Sequence, residues 1–520
     1  MKLPKIHNPL FIAVVATLGG MLFGFDISSM SAIILTDQYR DFFDNPSGVR
    51  QGAIGSSLAA GSVFGSAIAG PFSDWIGRRN SIFYSCFFWI VGTVLQTATN
   101  GFGMLVAGRV LNGITVGITS SQVPVYLAEI ARKEKRGSLI IIQQLAIEVG
   151  ILIMYFLGYG CTFIPGPASF RTAWSMQFVP CFFLMLGLPF LPESPRWLAK
   201  VDRSEEAIQT LADIQAEGNV DDPTVVAEWE DITTTLAAER SALPGWRKFV
   251  YNGMWKRTVA GFCVQMWQQN SGANVMTYYV VYIFGMAGLS NNVNLISSGV
   301  QYAIFIIGTA IMFFYVDKVG RRPLLIYGAI AMGVCHFVVG GVLSTGTYVP
   351  DGVDGNPNIK ILVGGSAGNT VIAFCYLLIL IYSMSLAPVC WIYAAEVWSL
   401  ETRATGMGIA AIGNWLFNFA LGMYIPPGFQ NITWRMFIIF GVMCFLGAAQ
   451  FFLTFPETNG KTLEEVELLF SGEIKPWKTK SGHSKLDEMI NEARDNHLTI
   501  SAKHKLGHDE HVEVVGDEKV

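Results

Sequence analysis

Apolar residues along this chain come in long runs, neither alternating as in a half-buried strand nor forming the single stripe of a surface helix. Twelve stretches are predominantly apolar over the ~20 residues that a helix needs to cross a bilayer. They lie at approximately 10–30, 50–72, 81–99, 103–125, 138–160, 174–191, 258–284, 294–316, 323–343, 370–394, 406–425 and 434–455. The first begins too deep and runs too long for a cleaved leader, and no small-residue cleavage site follows it. Between the runs the connectors are short, with two exceptions. A charged central stretch at 198–255 has helical periodicity and few turn breakers, which predicts short amphipathic helices. A charged tail follows 456, holds five of the seven His at or beyond 483, and has the composition of a disordered segment. Its HKLGHDEH run also admits a metal site.

Composition sharpens this picture. Only 14% of the 520 residues are charged and 52% are hydrophobic, against roughly 25% charged in soluble domains. Mean hydropathy is +0.42. The eight Cys sit nearly all inside apolar runs without framework spacing, which excludes a secreted disulfide scaffold. A net charge of −4 leaves no basic surface for nucleic acid. The expected class is an all-α membrane protein.

Lys and Arg set the orientation. With the amino terminus cytoplasmic, the outer loops hold only Arg40, Arg50, Arg171, Lys360 and Arg435, Arg109 lies within a span, and the other 29 of 35 positive residues face inward. Both termini are therefore expected in the cytoplasm.

Three motifs recur in order. DWIGRR at 74 returns as DKVGRR at 317, Glu129 and Arg136 return as Glu396 and Arg403, and PES at 192 returns as PET at 456. Each sits at the cytoplasmic end of corresponding spans, so the chain divides into two parallel six-helix halves, at 1–197 and 256–458, joined by linker helices at 198–255 and followed by a tail at 459–520. Parallel repeats of this kind build secondary transporters, with the substrate site near the midplane between them.

DWIGRR, PVYLAEI with RG, PESPRW at 192, QQNSGANVMTYY at 268, DKVGRR and PET at 456 resemble the sugar porter family of the major facilitator superfamily, over all but the tail. The opening KLPKIHNPLFIA and the GGMLFGFDISSMSA segment resemble fungal high-affinity glucose transporters in particular. The resemblance implies twelve membrane helices and alternating-access transport of a monosaccharide at the plasma membrane, by a monomer without a cofactor.

Ionisable residues within a span are functional candidates by default. Asp26, Arg109 and Glu148 stand out. The resemblance implies that Asp26 and Arg109 face each other, with Asp26 carrying a proton that Arg109 holds or releases. Desolvation favours a neutral carboxyl and a nearby guanidinium favours a charged one, so a moving Arg can switch proton affinity. A purely structural ion pair is the competing reading. Glu148 follows Gln144 by four residues on one helix face. It is read as a second titrating group, an additional sugar acceptor, or a side chain paired with a polar neighbour.

A monosaccharide offers hydroxyls that donate and accept, and neutral amides match both roles. Gln143, Gln144, Gln268, Gln269, Asn274, Gln301, Asn414 and Asn418 lie inside apolar spans. They argue for a polar cavity, although single amides also serve as interhelical glue. By resemblance, Gln144, Gln268, Gln269, Asn274, Trp391 and Asn414 contact sugar, and Tyr278 and Tyr279 form a mobile outer gate. Asn274 sits about 140° around a regular helix from Gln269, so both reach one ligand only if the span breaks at Ser271-Gly272. The chain also departs from the family. Phe305 occupies the place of a usual sugar-contacting Asn, with Gln301 one turn earlier as a substitute. In the tenth span Pro388 is kept while Cys390 replaces a second proline.

The loop motifs imply a latch that closes in the outward-facing state and parts in the inward-facing one. Asp74, Arg78, Arg79, Glu129, Arg136, Glu193 and Arg196 in one half correspond to Asp317, Arg321, Arg322, Glu396, Arg403 and Glu457 in the other. NIT at 431 fits a glycosylation acceptor but lies too close to the membrane to serve as one. No Walker loop, nucleotide fingerprint or intramembrane metal cluster is present, so gradients must supply the energy. The leading reading is proton symport, with facilitative uniport and, more remotely, a transporter-fold sugar sensor as alternatives.

Overall fold

The computed structural model describes residues 5–479, apart from 32, 34–35, 45, 47, 241–244, 252–253, 290, 351, 354–358, 401, 464 and 471–474. The expectations about the tail's HKLGHDEH run and its disorder lie outside the described residues. Each of the twelve apolar stretches is helical. In the first half the second (Gly48–Ile76), third (Arg78–Thr97), fourth (Phe102–Ile130) and fifth (Arg136–Cys161) spans are continuous helices. In the second half the eighth (Asn291–Val319), ninth (Arg321–Leu343), eleventh (Arg403–Asn431) and twelfth (Arg435–Thr454) are continuous too.

Four spans are interrupted. The first is Pro9–Ala16 and Leu18–Ser31, the sixth Ala168–Ser175 and Phe178–Gly187, the seventh Met254–Asn270 and Ala273–Met286, and the tenth Gly365–Met384 and Leu386–Glu396. The seventh breaks where expected, with Gly272 in the left-handed region at φ 76. A side chain there would also meet His336 at 2.7 Å. The tenth breaks at Ser385 (φ −136, ψ −95), because Pro388 has no N–H to offer the Met384 carbonyl. Breaks at the first and sixth spans carry no comparable sequence signal.

Ten stretches are long and apolar enough to cross a membrane among the described residues. The third span starts with Arg78-Arg79-Asn80-Ser81 and is less apolar, and the seventh is divided into pieces of 17 and 14 residues. Together the spans form the two six-helix halves of the major facilitator fold. Short helices Pro195–Lys200, Ser204–Gln215 and Pro223–Arg240 occupy the central stretch. A two-stranded ladder, Thr347–Tyr348 with Ile361–Leu362, lies in the loop after the ninth span.

Small residues set the closest packing. A Cβ added at Gly61 or Gly65 would lie 2.0 or 2.2 Å from the carbonyls of Val110 and Ile114, and one at Gly113 or Gly117 would lie 2.2 or 2.3 Å from those of Leu58 and Ser62. The second and fourth spans thus approach backbone to backbone through two facing small-xxx-small patterns, where van der Waals contact replaces the missing hydrophobic drive between helices in lipid. The first and second halves meet along the second and eleventh spans and along the fifth and eighth, which leaves the space between these seams for a site.

Candidate functional site

Between the halves lies a cavity with about 410 Å³ of atom-free space. All six expected sugar-contacting residues line it: Gln144, Gln268, Gln269, Asn274, Trp391 and Asn414. Phe23, Ile27, Ile147, Ile151, Thr277, Phe305 and Tyr382 supply the apolar and aromatic remainder of the wall. The amides form one network. Asn414 Nδ2 donates to Gln265 Oε1 (2.6 Å) and Gln268 Oε1 (2.7 Å), and its own Oδ1 accepts from Gln269 Nε2 (2.9 Å). Gln269 Oε1 accepts from Asn418 Nδ2 (3.1 Å) and from Asn274 across the helix break. Gln268 Nε2 donates to the carbonyls of Ala387 (2.9 Å) and Leu386 (3.2 Å), beside the break in the tenth span. Two helix breaks therefore converge on one cluster of amides, since unwound backbone at membrane depth is tolerated where it lines a cavity.

Three of the eight amides stand elsewhere. Gln301 Nε2 donates to the Met276 carbonyl at 2.9 Å and does not line the cavity. The expectation that it replaces the missing Asn is thereby corrected: its Nε2 is turned to backbone, its Oε1 is buried without a hydrogen-bond partner, and Phe305 forms that part of the wall against Tyr382 at 5.6 Å between ring centroids. Gln143 packs against Gly20 of the first span, and Asn418 reaches the cavity only through Gln269. Gln265, which sequence reasoning missed, supports Asn414 from behind. It lies one turn before Gln268 and Gln269, and that spacing was a usable signal. If Phe305 closes the wall, Phe305→Asn is expected to change the ranking of hexose against pentose uptake. An unchanged ranking would show that the eighth span does not select.

Tyr278 and Tyr279 line a second, smaller cavity of about 290 Å³, with Tyr155, Tyr282 and Tyr302. Thr277 lines both cavities, so they lie end to end along the seventh span. Tyr278 Oη donates to Asn418 Oδ1 (3.3 Å), and the Tyr279 ring packs edge-on against Phe429 at 6.1 Å. Tyr279 itself leaves helical geometry at φ −125, ψ 20, a second kink that the sequence did not announce.

Asp26 and Arg109 meet within the first half. Arg109 Nη1 stands 2.8 Å from Asp26 Oδ1, with both side chains buried. Arg109 Nε donates to the Ile54 carbonyl (3.0 Å), and Asn112 Nδ2 donates to Asp26 Oδ2 (3.2 Å). Asn112 also donates to Gln177 Oε1 (2.9 Å). Glu148 is buried beside the cavity but not in its wall. Its Oε1 accepts from Gln144 Nε2 (2.9 Å) and lies 2.7 Å from Thr309 Oγ1.

At one end of the bundle the repeated motifs build two like clusters. Arg78 grips Glu129 through Nε (3.0 Å) and Nη2 (3.2 Å) and Asp74 through Nη1 (2.9 Å). Arg321 grips Glu396 through Nη2 (2.8 Å) and Nε (3.2 Å), with Asp317 at 3.0 Å. Glu193 accepts from the backbone N–H groups of Arg78 and Arg79 at 2.9 and 3.1 Å, and Glu457 from those of Arg321 and Arg322 at 2.9 and 3.0 Å. The acid of PES or PET thus caps a helix N-terminus, where the orphan donors and the dipole favour an anion. Burial pushes the Glu193 carboxyl up, only partly offset by the N–H groups of Arg79 and Ser194 and the charges of Arg79 and Arg78. Gly77 (φ 99) and Gly320 (φ 94) precede those helices, and a Cβ there would strike the carboxylates at 2.5 and 2.7 Å. That explains the fixed Gly in both motifs.

Bonds also cross between the halves at this charged end. Arg403 Nη1 stands 3.7 Å from Glu129 Oε1. Asp317 accepts from Gly137 N (3.1 Å), Ser138 N (2.8 Å) and Ser138 Oγ (2.7 Å), and Arg136 Nη1 donates to the Lys461 carbonyl (3.2 Å). Arg196 bonds the Glu129 carbonyl (2.8 Å) and Glu228 of the linker helices (3.0 Å). Arg79 and Arg322 bond the carbonyls of Leu191 (3.0 Å) and Phe452 (2.9 Å). Among the described residues no group of three or more His, Cys, Asp or Glu is placed to hold a metal ion.

A broken-helix cavity between two duplicated halves defines a transporter of the major facilitator superfamily. The family model "Sugar (and other) transporter" matches residues 12–470, and the chain belongs to that family of sugar transporters, whose work is translocation and not catalysis. It is 40% identical to the high-affinity glucose transporter of Kluyveromyces lactis over 523 residues, covering 99% of this chain and 93% of that one. Its structure is similar to that of the proton:xylose symporter XylE bound to 6-bromo-6-deoxy-D-glucose, with a TM-score of 0.78, 26% identity, and 89% of this chain and 99% of that one covered. Against the inward-open form of XylE from E. coli the TM-score is 0.65, at 26% identity over 88% of this chain and 99% of that one. The shape is nearer to the form holding the sugar analogue, in keeping with the cross-half bonds closed at the charged end.

Proposed function

We propose that this protein imports a monosaccharide, glucose first and xylose second among the candidates, by proton symport with alternating access. The observation that carries the reading is the buried Asp26–Arg109 pair, an acid and base set 2.8 Å apart inside apolar spans. Intramembrane ionisable residues are costly and mark proton relays and ion pathways. The amide-lined cavity supports a neutral polyhydroxy ligand, since five amides donate and accept while no charge faces the ligand from its wall. Trp391 presents a ring to the sugar's C–H face. The names of the K. lactis relative and of XylE point the same way.

On this reading the charged end, with its excess of Lys and Arg, faces the cytoplasm, and the protein works in the plasma membrane as a monomer with both termini inside. The division at 197 and 256 separates the halves that rock. Tyr278 and Tyr279 then close the outer path, while the Arg78–Glu129 and Arg321–Glu396 clusters, bridged by Arg403 and Asp317, act as the inner latch. Labelled glucose and xylose uptake into cells lacking their own transporters, with and without a protonophore, tests the reading. Accumulation that collapses with protonophore supports symport, and uptake that is unaffected and only equalises concentrations means uniport. Gln268→Ala is expected to weaken apparent affinity roughly tenfold at near-normal surface expression, because buried partners left unmade cost ~1–3 kcal/mol. Unchanged affinity and rate would remove Gln268 from the site.

A further inference from the structure

Glu148 is a buried carboxyl that the mechanism above does not use. One oxygen, Oε1, holds both of its contacts, Gln144 Nε2 at 2.9 Å and Thr309 Oγ1 at 2.7 Å. The other, Oε2, is buried without a hydrogen-bond partner. The elements packed against the fifth span bring no free cation to it among the described residues. The first and fourth spans bring Asp26 and Arg109, which are closed on each other, with Arg109 also spent on the Ile54 carbonyl. The eighth brings neutral Thr309, and the tenth brings the neutral phenol of Tyr382. An ionised carboxylate in such a place would have neither a counter-charge nor a donor for its second oxygen, at a cost of several kcal/mol.

Hydrogen counting points to the neutral form independently. Thr309 Oγ1 faces two acceptors, Glu148 Oε1 and the Ser383 carbonyl at 3.2 Å, yet it carries one hydrogen. A proton on Glu148 resolves the conflict, because Glu148 then donates to Thr309 Oγ1 and Thr309 donates to Ser383. The relay also crosses the molecule. Glu148 belongs to the first half, Thr309 and Ser383 to the second, and Ser383 lies two residues before the break at Ser385. Gln144, one turn from Glu148, lines the cavity. Rocking the halves apart at this level takes Thr309 from Glu148 and admits water, which is the condition for releasing the proton.

We infer that Glu148 is a second proton-carrying site, loaded when the halves close around sugar and emptied to the cytoplasm when they part, so that two protons accompany each monosaccharide. This rests on the symport reading and adds a stoichiometry to it. The proton comes from outside water, sits on Glu148 Oε1, and leaves to inside water with no other bond made or broken.

The test is the sugar ratio at which net flux reverses, measured with labelled glucose and xylose in proteoliposomes of the full chain, at a pH difference of one unit and no membrane potential. Two coupled protons set reversal near ~100-fold and one proton near ~10-fold. Wild type at ~100-fold with Glu148→Gln at ~10-fold is the expected result. Wild type at ~10-fold, or Glu148→Gln unchanged at ~100-fold, overturns the inference while leaving symport standing. Reversal at equal concentrations in wild type overturns symport itself. Should Glu148→Gln fail to insert, Glu148→Leu removes the titrating group in an apolar side chain of similar length and is expected at ~10-fold, and ~100-fold there overturns the inference equally.

Discussion

Asp26→Asn is expected to remove one of the two coupled protons, and with it most of the accumulation of sugar above equilibrium, while sparing exchange of labelled sugar. One proton falling through about 100 mV brings ~2.3 kcal/mol, and one pH unit adds ~1.36 kcal/mol. Even a single coupled proton can therefore sustain a sugar ratio of roughly 500-fold, and the variant, left with the proton on Glu148, is expected to fall to about that ratio from roughly its square. The substitution keeps the side chain's shape and its acceptor toward Asn112, and it removes the one group that Arg109 can alternately bind and release. Arg109→Ala is expected to lose the same proton's coupling, for the complementary reason. It leaves a buried carboxyl without its cation, and burial favours the protonated form, so Asp26 would keep its proton on both sides of the membrane. Counterflow in proteoliposomes separates lost coupling from lost binding. Asp26→Asn accumulating sugar as wild type does, together with wild-type uptake indifferent to protonophore, would sink symport and leave a facilitative carrier.

How much of this site the sequence carried depends on what each residue needed to be recognised. Asp26, Arg109 and Glu148 were legible because a charge in an apolar run is conspicuous at any register. The break at Gly272 was legible because Gln269 and Asn274 could not otherwise share a ligand, and the bond between their side chains across that break fits the argument. The break at Ser385 was half legible: Pro388 announced a hinge, but the missing N–H acts four residues upstream. Gln301 was misplaced because helical position fixes a face only relative to its own axis. Which neighbour that face meets is decided by packing, and here it meets the Met276 carbonyl. The kink at Tyr279 and the break at Thr17 leave no mark in composition. The fold was more legible than the site, since the twelve apolar runs and three repeated motifs are properties of one chain read in order. That Glu193 and Glu457 cap helices more than a hundred residues away is a tertiary fact, visible in sequence only as an unexplained repeat.

Glu129→Gln is expected to produce the second large effect, a shift of the conformational equilibrium toward the form open at the charged end. Glu129 holds a bidentate arginine of its own half and also faces an arginine of the other, Arg403 at 3.7 Å. Ser194 Oγ donates to it at 2.6 Å as well. Breaking a buried ion pair from one side costs ~3–5 kcal/mol, because the remaining charge stays buried without its partner. Much of that cost falls on the closed form, since opening lets water reach Arg403. A swing of ~3 kcal/mol is worth roughly a 100-fold change in a two-state ratio, enough to invert a modest preference. Spin labels at Trp75→Cys and Tyr315→Cys, on exposed positions of opposite halves at that end, report the change as a longer distance in Glu129→Gln than in wild type. Uptake is expected to fall with it, because a transporter resting open to the cytoplasm binds external sugar poorly. Glu396→Gln is the matching variant of the second half. Glu396 holds Arg321 in the same bidentate manner and accepts from Thr458 Oγ1 at 2.6 Å, so both variants lose a helix-end pair. Equal label distances in Glu129→Gln and wild type would show that the duplicated clusters stiffen each half without biasing the exchange between states.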